Sequence, residues 1–81
     1  MRITGIVTSQ MESRTVERKD GTAAQVDSIK VLDDSTGDVV EVNSWKPDTR
    51  LVEARKGDEV DFTAKSWSAY RERLRIEVAP A

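Results

Sequence analysis

Cysteine and histidine are both missing from the 81 residues. Without cysteine there is no disulfide framework and no thiolate metal site. Without histidine the commonest metal ligand and the commonest general base are gone. Catalytic signatures are missing as well: no glycine-rich phosphate loop and no Ser-x-x-Lys pair that would activate a serine. The chain therefore reads as a binding protein rather than an enzyme, with no cofactor. No apolar run approaches the roughly 20 residues that span a bilayer. Met1-Arg2-Ile3-Thr4-Gly5 lacks the apolar core of a signal peptide. A soluble cytoplasmic protein is expected, and 81 residues suit one domain, 1–81.

Hydrophobic residues make up 37% and charged residues 35%, and the net charge is −2. The apolar residues fall in regular strand-length runs, unlike those of a disordered segment. Charge is unevenly placed. Residues 27–61 hold ten acids and five bases, whereas residues 62–81 hold Lys65, Arg71, Arg73 and Arg75 against Glu72 and Glu77. A polyanion would thus meet a local basic face, not a global field.

Alternation at period two dominates the pattern. Residues 2–11 are rich in β-branched types and form a first strand, with Gly5 at a bulge or sharp coil. Residues 13–22 form a long hairpin loop, with strand extensions on either side and a turn signal at Lys19-Asp20-Gly21. A second strand spans about 23–33. Val26 and Leu32 share one parity, Ile29 and Val31 the other, so a bulge or bend is expected near Ser28. Asp34-Ser35-Thr36-Gly37 is a tight turn.

A third strand runs from Asp38 to Lys46, with Val40, Val42 and Ser44 on one face and Val39, Glu41, Asn43 and Trp45 on the other. Pro47 ends it. Asp48 and Gly57 bracket a short helical or irregular connection through Leu51, Val52 and Ala54. In the fourth strand, Glu59 to Trp67, residues Val60, Phe62, Ala64 and Ser66 face in, and Asp61, Thr63, Lys65 and Trp67 face out. Ser68 to Glu72 turn into a fifth strand, 73–78, whose Leu74, Ile76 and Val78 face in. Five short strands favour a closed barrel, because closure removes exposed edges.

Several segments resemble OB-fold domains of the replication protein A and tRNA-anticodon-binding type. Val31-Leu32-Asp33-Asp34-Ser35-Thr36-Gly37, followed by Val40, Val42 and Trp45, is similar to the second OB hairpin. Lys56-Gly57-Asp58-Glu59-Val60-Asp61-Phe62 is similar to the entry to the fourth strand. Gly5-Ile6-Val7 fits the first strand, and Trp67, Tyr70, Leu74 and Ile76 fit the last hairpin. The resemblance spans about residues 3–78. It implies an all-β, five-stranded OB barrel. It also implies that ligand crosses the outer face of the second and third strands, gripped by the loops at 12–22 and 68–72.

On that frame Trp45, and either Trp67 or Tyr70, correspond to stacking aromatics, which suit unpaired bases. Arg71, Arg73 and Arg75, with Lys65 nearby, suit phosphates and base planes. Arg14, Arg18 and Lys19 could close over the ligand from the first loop, Lys30 and Lys46 could extend the track, and Asn43 could bond a base edge. Each residue has a plainer reading: tryptophans folded over a barrel end, charges that only solvate a strand face, a solvated asparagine. Asp33, Asp34 and Asp38 are explained by the hairpin turn and match no twelve-residue calcium loop, so no metal is assigned. The expected ligand is single-stranded nucleic acid, DNA ahead of RNA, bound largely without sequence preference. One domain would cover few nucleotides, so self-association or a larger nucleoprotein assembly could be required. The rival expectation is a protein-interaction OB module within a larger assembly, its tryptophans serving as interface anchors.

Overall fold

The computed structural model describes residues 1–70 and 73–79. In chain order they form β1 (Arg2–Glu17), β2 (Ala23–Asp33), β3 (Val39–Ser44), α1 (Thr49–Glu53), β4 (Glu59–Tyr70) and β5 (Arg73–Val78). The strands close into a barrel in the order β1-β2-β3-β5-β4. All neighbours are antiparallel except β3 and β5, which run parallel with Val42 opposite Ile76. This is the all-β, five-stranded OB barrel expected from the sequence.

The interior is built from alternate residues of each strand. Ile3 and Val7 of β1, Ile29 and Val31 of β2, Val40 and Val42 of β3, Phe62 of β4, and Ile76 and Val78 of β5 form one buried cluster. α1 adds Leu51, which is fully buried, and Ala54 follows it into the core. The connection between β3 and β4 is thus helical. It begins at Asp48, whose side chain accepts from the Arg50 backbone N–H at 2.9 Å. The helix ends at Ala54 rather than at Gly57; the chain then turns into β4 through Gly57, which adopts a positive φ of 96°.

β1 must pair with two strands at once. Its first part, Arg2 to Ile6, lies against β4, while Gly5 to Glu17 lies along β2. To serve both it coils sharply. Two register shifts, between Val7 and Ser9 and between Ser9 and Glu12, each place one extra residue in β1. The bulge expected near Ser28 is therefore not in β2, which pairs regularly with β3 from Asp27 through Leu32. Val26 departs from the inward parity for another reason: it is buried on the outer face. The close approach at the coil explains Gly5, since a Cβ there would lie 1.8 Å from the Leu32 carbonyl oxygen.

Three further boundaries differ from the sequence reading. The β1–β2 ladder continues to Glu17 opposite Ala23, so the long hairpin loop shrinks to residues 18–22. β3 stops at Ser44, one residue before Trp45. β4 runs on to Tyr70, which pairs with Arg73, so residues 68–70 belong to the ladder. The β2–β3 turn is held by Asp33. Its carboxylate accepts from the Ser35 N–H and the Thr36 hydroxyl, both at 3.1 Å.

Two outcomes follow. Gly5→Ala should lower stability by about 3 kcal/mol or prevent folding, because backbone cannot yield as a side chain does; chemical denaturation measures it. The second concerns Asp48, whose carboxylate is held below its ordinary range, chiefly by the hydrogen bond from the Arg50 guanidinium. Protonation is therefore easier in the unfolded chain. The stabilisation is complete above the unfolded carboxylate value of about 3.9 and fades as pH falls below it. Asp48→Asn keeps the cap but not the charge, so it should be less stable than wild type at pH 7. The gap should narrow toward pH 2 in thermal melts.

Candidate functional site

Both hairpins that flank the outer face extend past the barrel. The β1–β2 ribbon reaches to Glu17 and Ala23, and the β4–β5 hairpin to Tyr70 and Arg73. Between them lies a cleft of about 330 Å³, lined by Arg14, Val16, Val26, Asn43, Trp45 and Trp67, with Arg75 and neighbouring β4–β5 residues closing it. Trp45 is 43% exposed and Trp67 64% exposed. Two large aromatics open to water beside one cleft are unusual enough to mark a contact surface.

Trp67 reaches this cleft by a route the alternation of β4 does not foretell. Ala64 pairs with Val78 and Ser66 with Glu77, so Lys65 is an extra residue in the ladder. The bulge reverses the parity beyond it. Ser66 and Ser68 take the outward positions opposite Glu77 and Arg75, and Trp67 falls opposite the buried Ile76. The expected outward parity of Trp67 and inward parity of Ser66 are both corrected. Trp67 is nonetheless 64% exposed; among the described residues the β1–β4 ladder reaches only Thr63, so no β1 residue pairs beside it.

Trp45 also borders a second cleft, of about 670 Å³, where Lys46, Lys65 and Arg18 meet Asp48 and Glu77. Arg18, at the tip of the β1–β2 ribbon, places its guanidinium 6.0 Å from the centre of the Trp45 ring, within cation–π range. Lys65 pairs with Glu77 at 3.3 Å. Trp45 and Glu77 line both clefts.

The remaining expected residues divide. Asn43 lines the first cleft, and its Oδ1 is buried with no hydrogen-bond partner among the described residues. Lys30 shares the outer face but lies opposite Glu41 and outside both clefts. Lys19 is exposed at the ribbon tip and lines neither. Arg71 lies outside the described residues, as do the side chains of Tyr70 and Arg73, whose backbones close the β4–β5 ladder.

Glu41 is the residue the sequence reading missed. It stands on the outer face of β3 yet is only 8% exposed. Arg75 Nε approaches its Oε2 to 2.8 Å, an ion pair without hydrogen-bond alignment, and Arg14 lies 3.9 Å away. Its parity was legible, but its cationic neighbours come from β1 and β5, which only the closed barrel brings together. Val16 and Val26, which the sequence pattern does not single out as site residues, add apolar lining to the cleft.

No family profile matches the chain, and no curated protein sequence does. Among solved structures, the chain is similar to the second OB-fold domain of replication protein A from Methanococcus maripaludis, determined by solution NMR. Identity is 27% and the TM-score 0.67, over 98% of this chain and 76% of that one. The barrel is an OB fold of the replication protein A type. No helix among the described residues is long and apolar enough to cross a membrane.

Proposed function

We propose that the cleft between the two long hairpins binds single-stranded nucleic acid, with DNA preferred to RNA. The observation that carries this reading is the meeting of two exposed indoles, a buried amide oxygen and two arginines in one cleft between the two long hairpins. Unpaired bases offer the flat apolar faces that indoles stack on, and each stack contributes roughly 1–3 kcal/mol. Phosphates between successive bases suit the guanidinium groups of Arg14 and Arg75. Past Trp45 the track continues along Arg18, Lys46 and Lys65.

The chain's net charge of −2 means that attraction is local, confined to these groups. Stacking and phosphate contacts carry no sequence information, so binding is largely indifferent to sequence; Asn43 alone offers a base edge a partner. The preference for DNA follows the likeness to a domain of a replication protein. A cleft of this size accommodates few nucleotides, so useful affinity arises when several copies, or other domains of a nucleoprotein assembly, hold the same strand.

Titration with oligo-dT tests the proposal. Tryptophan fluorescence should be quenched, and log affinity should fall with log salt by about 0.7 for each phosphate contacted. With a labelled oligonucleotide followed by anisotropy, Trp45→Ala and Trp67→Ala should each weaken binding roughly tenfold, the equivalent of about 1.4 kcal/mol. If both variants fold and bind as wild type does, the site is wrong. Silence toward DNA and RNA oligomers at low salt would favour a protein partner instead.

A further inference from the structure

A carboxylate in the middle of a face that receives phosphate is an apparent contradiction. Glu41 sits at the centre of β3, opposite Lys30 on β2 and Arg75 on β5. Its side chain is only 11% exposed. Burying a carboxylate is costly unless a cation accompanies it. Here the cations are the same arginines that line the cleft: Arg75 at 2.8 Å, and Arg14 at 3.9 Å from the β1–β2 ribbon. Three elements that are remote along the chain therefore converge on one oxygen.

We propose that Glu41 is a positioning residue that sets how tightly single strands are held, an inference that rests on the site proposed above. It aims Arg75 and Arg14 at the cleft from opposite sides and keeps part of their charge for itself. Arg75 is only 28% exposed, and withdrawing it would leave the buried carboxylate with only the more distant Arg14. Phosphate must therefore share it with the carboxylate. Arg14 is 46% exposed and more loosely held, so it is the readier of the two to turn to a ligand. The result is a preformed site with attenuated affinity, suited to a strand that must also be released.

The two possible roles of Glu41 make opposite forecasts. A staple that merely fixes the ribbon would, once neutralised, loosen the site and weaken binding. A residue that competes with phosphate would, once neutralised, strengthen it. Glu41→Gln keeps the shape and removes the charge. It should bind oligo-dT roughly fivefold more tightly at low salt, the effect of one charge about 4 Å away in water. Its log affinity should fall more steeply with log salt, by about 0.7 for one phosphate more fully engaged. The gain should largely vanish when Glu41→Gln is compared in an Arg75→Ala background.

Binding that is unchanged or weaker, with an unchanged salt slope, overturns the inference. In the wild-type protein, which tests the point without any variant, the Arg75 Nε–H resonance should move as oligo-dT is added. A resonance that stays fixed at saturation also overturns it. The two proposals fail separately. If neither wild type nor Glu41→Gln binds any oligomer at low salt, both fall; if wild type binds through its tryptophans and Glu41→Gln gains nothing, only the role of Glu41 falls.

Discussion

Closing five strands into a ring obliges β1 to be hydrogen-bonded to two partners that lie on different sides of the barrel. A flat strand cannot do this. β1 does so by crossing at Gly5, where the Leu32 carbonyl occupies the space a side chain would need, and by taking extra residues before Ser9 and again before Glu12. Everything distal to that coil depends on it. Each bulge adds local twist, and the ribbon that leaves the barrel after Ser9 carries Arg14, Val16 and Arg18 to the side where Trp45 follows the end of β3.

The opposite wall of the cleft is made by the same device. β4 pairs with β1 through Thr63 and then, past Ala64, belongs to β5 alone. The extra residue at Lys65 falls at this change of partner. It delivers Lys65 to one cleft and Trp67 to the other. Both walls are thus two-stranded extensions whose outer ends lack a third strand, and two-stranded ribbons are weak on their own. Contacts across the gap substitute for sheet: Arg18 against Trp45, and Arg14 with Arg75 on Glu41.

What could be read from the sequence follows the reach of each signal. Asp33 through Gly37 describe a turn whose determinants are adjacent, and the turn is as expected. Asp48 marks the start of the helix for a similarly local reason, but the helix ends at Ala54, three residues before Gly57, which serves the turn into β4 instead. Leu74, Ile76 and Val78 alternate without interruption, and the last two are core. Parity arguments failed where a ladder changes partner. Alternation from Val60 puts Trp67 outward only if no residue is extra, and the bulge at Lys65 arises from pairing with β5, which β4 alone cannot reveal. Val26 invited a bulge in β2, whereas its burial comes from the outer face, beneath groups supplied by other elements. Glu41 was visible as an outward residue, but nothing nearby in sequence announces that arginines from β1 and β5 will enclose it.

The electrostatics of the cleft constrain how it could hold a strand. Lys65 is engaged with Glu77, Arg75 with Glu41, and Arg18 leans on Trp45. These cations are already engaged, and a molecule of net charge −2 adds no long-range pull. On the proposed reading, affinity comes mainly from the indoles, whose stacking depends little on base identity. The ion pairs then serve a different purpose. By fixing where guanidinium and ammonium groups stand before any ligand arrives, they reduce the ordering cost of binding, while the paired carboxylates limit what the same cations can return to a phosphate. On the proposed reading, a site built this way exchanges rapidly on a single copy and persists when several copies share one strand.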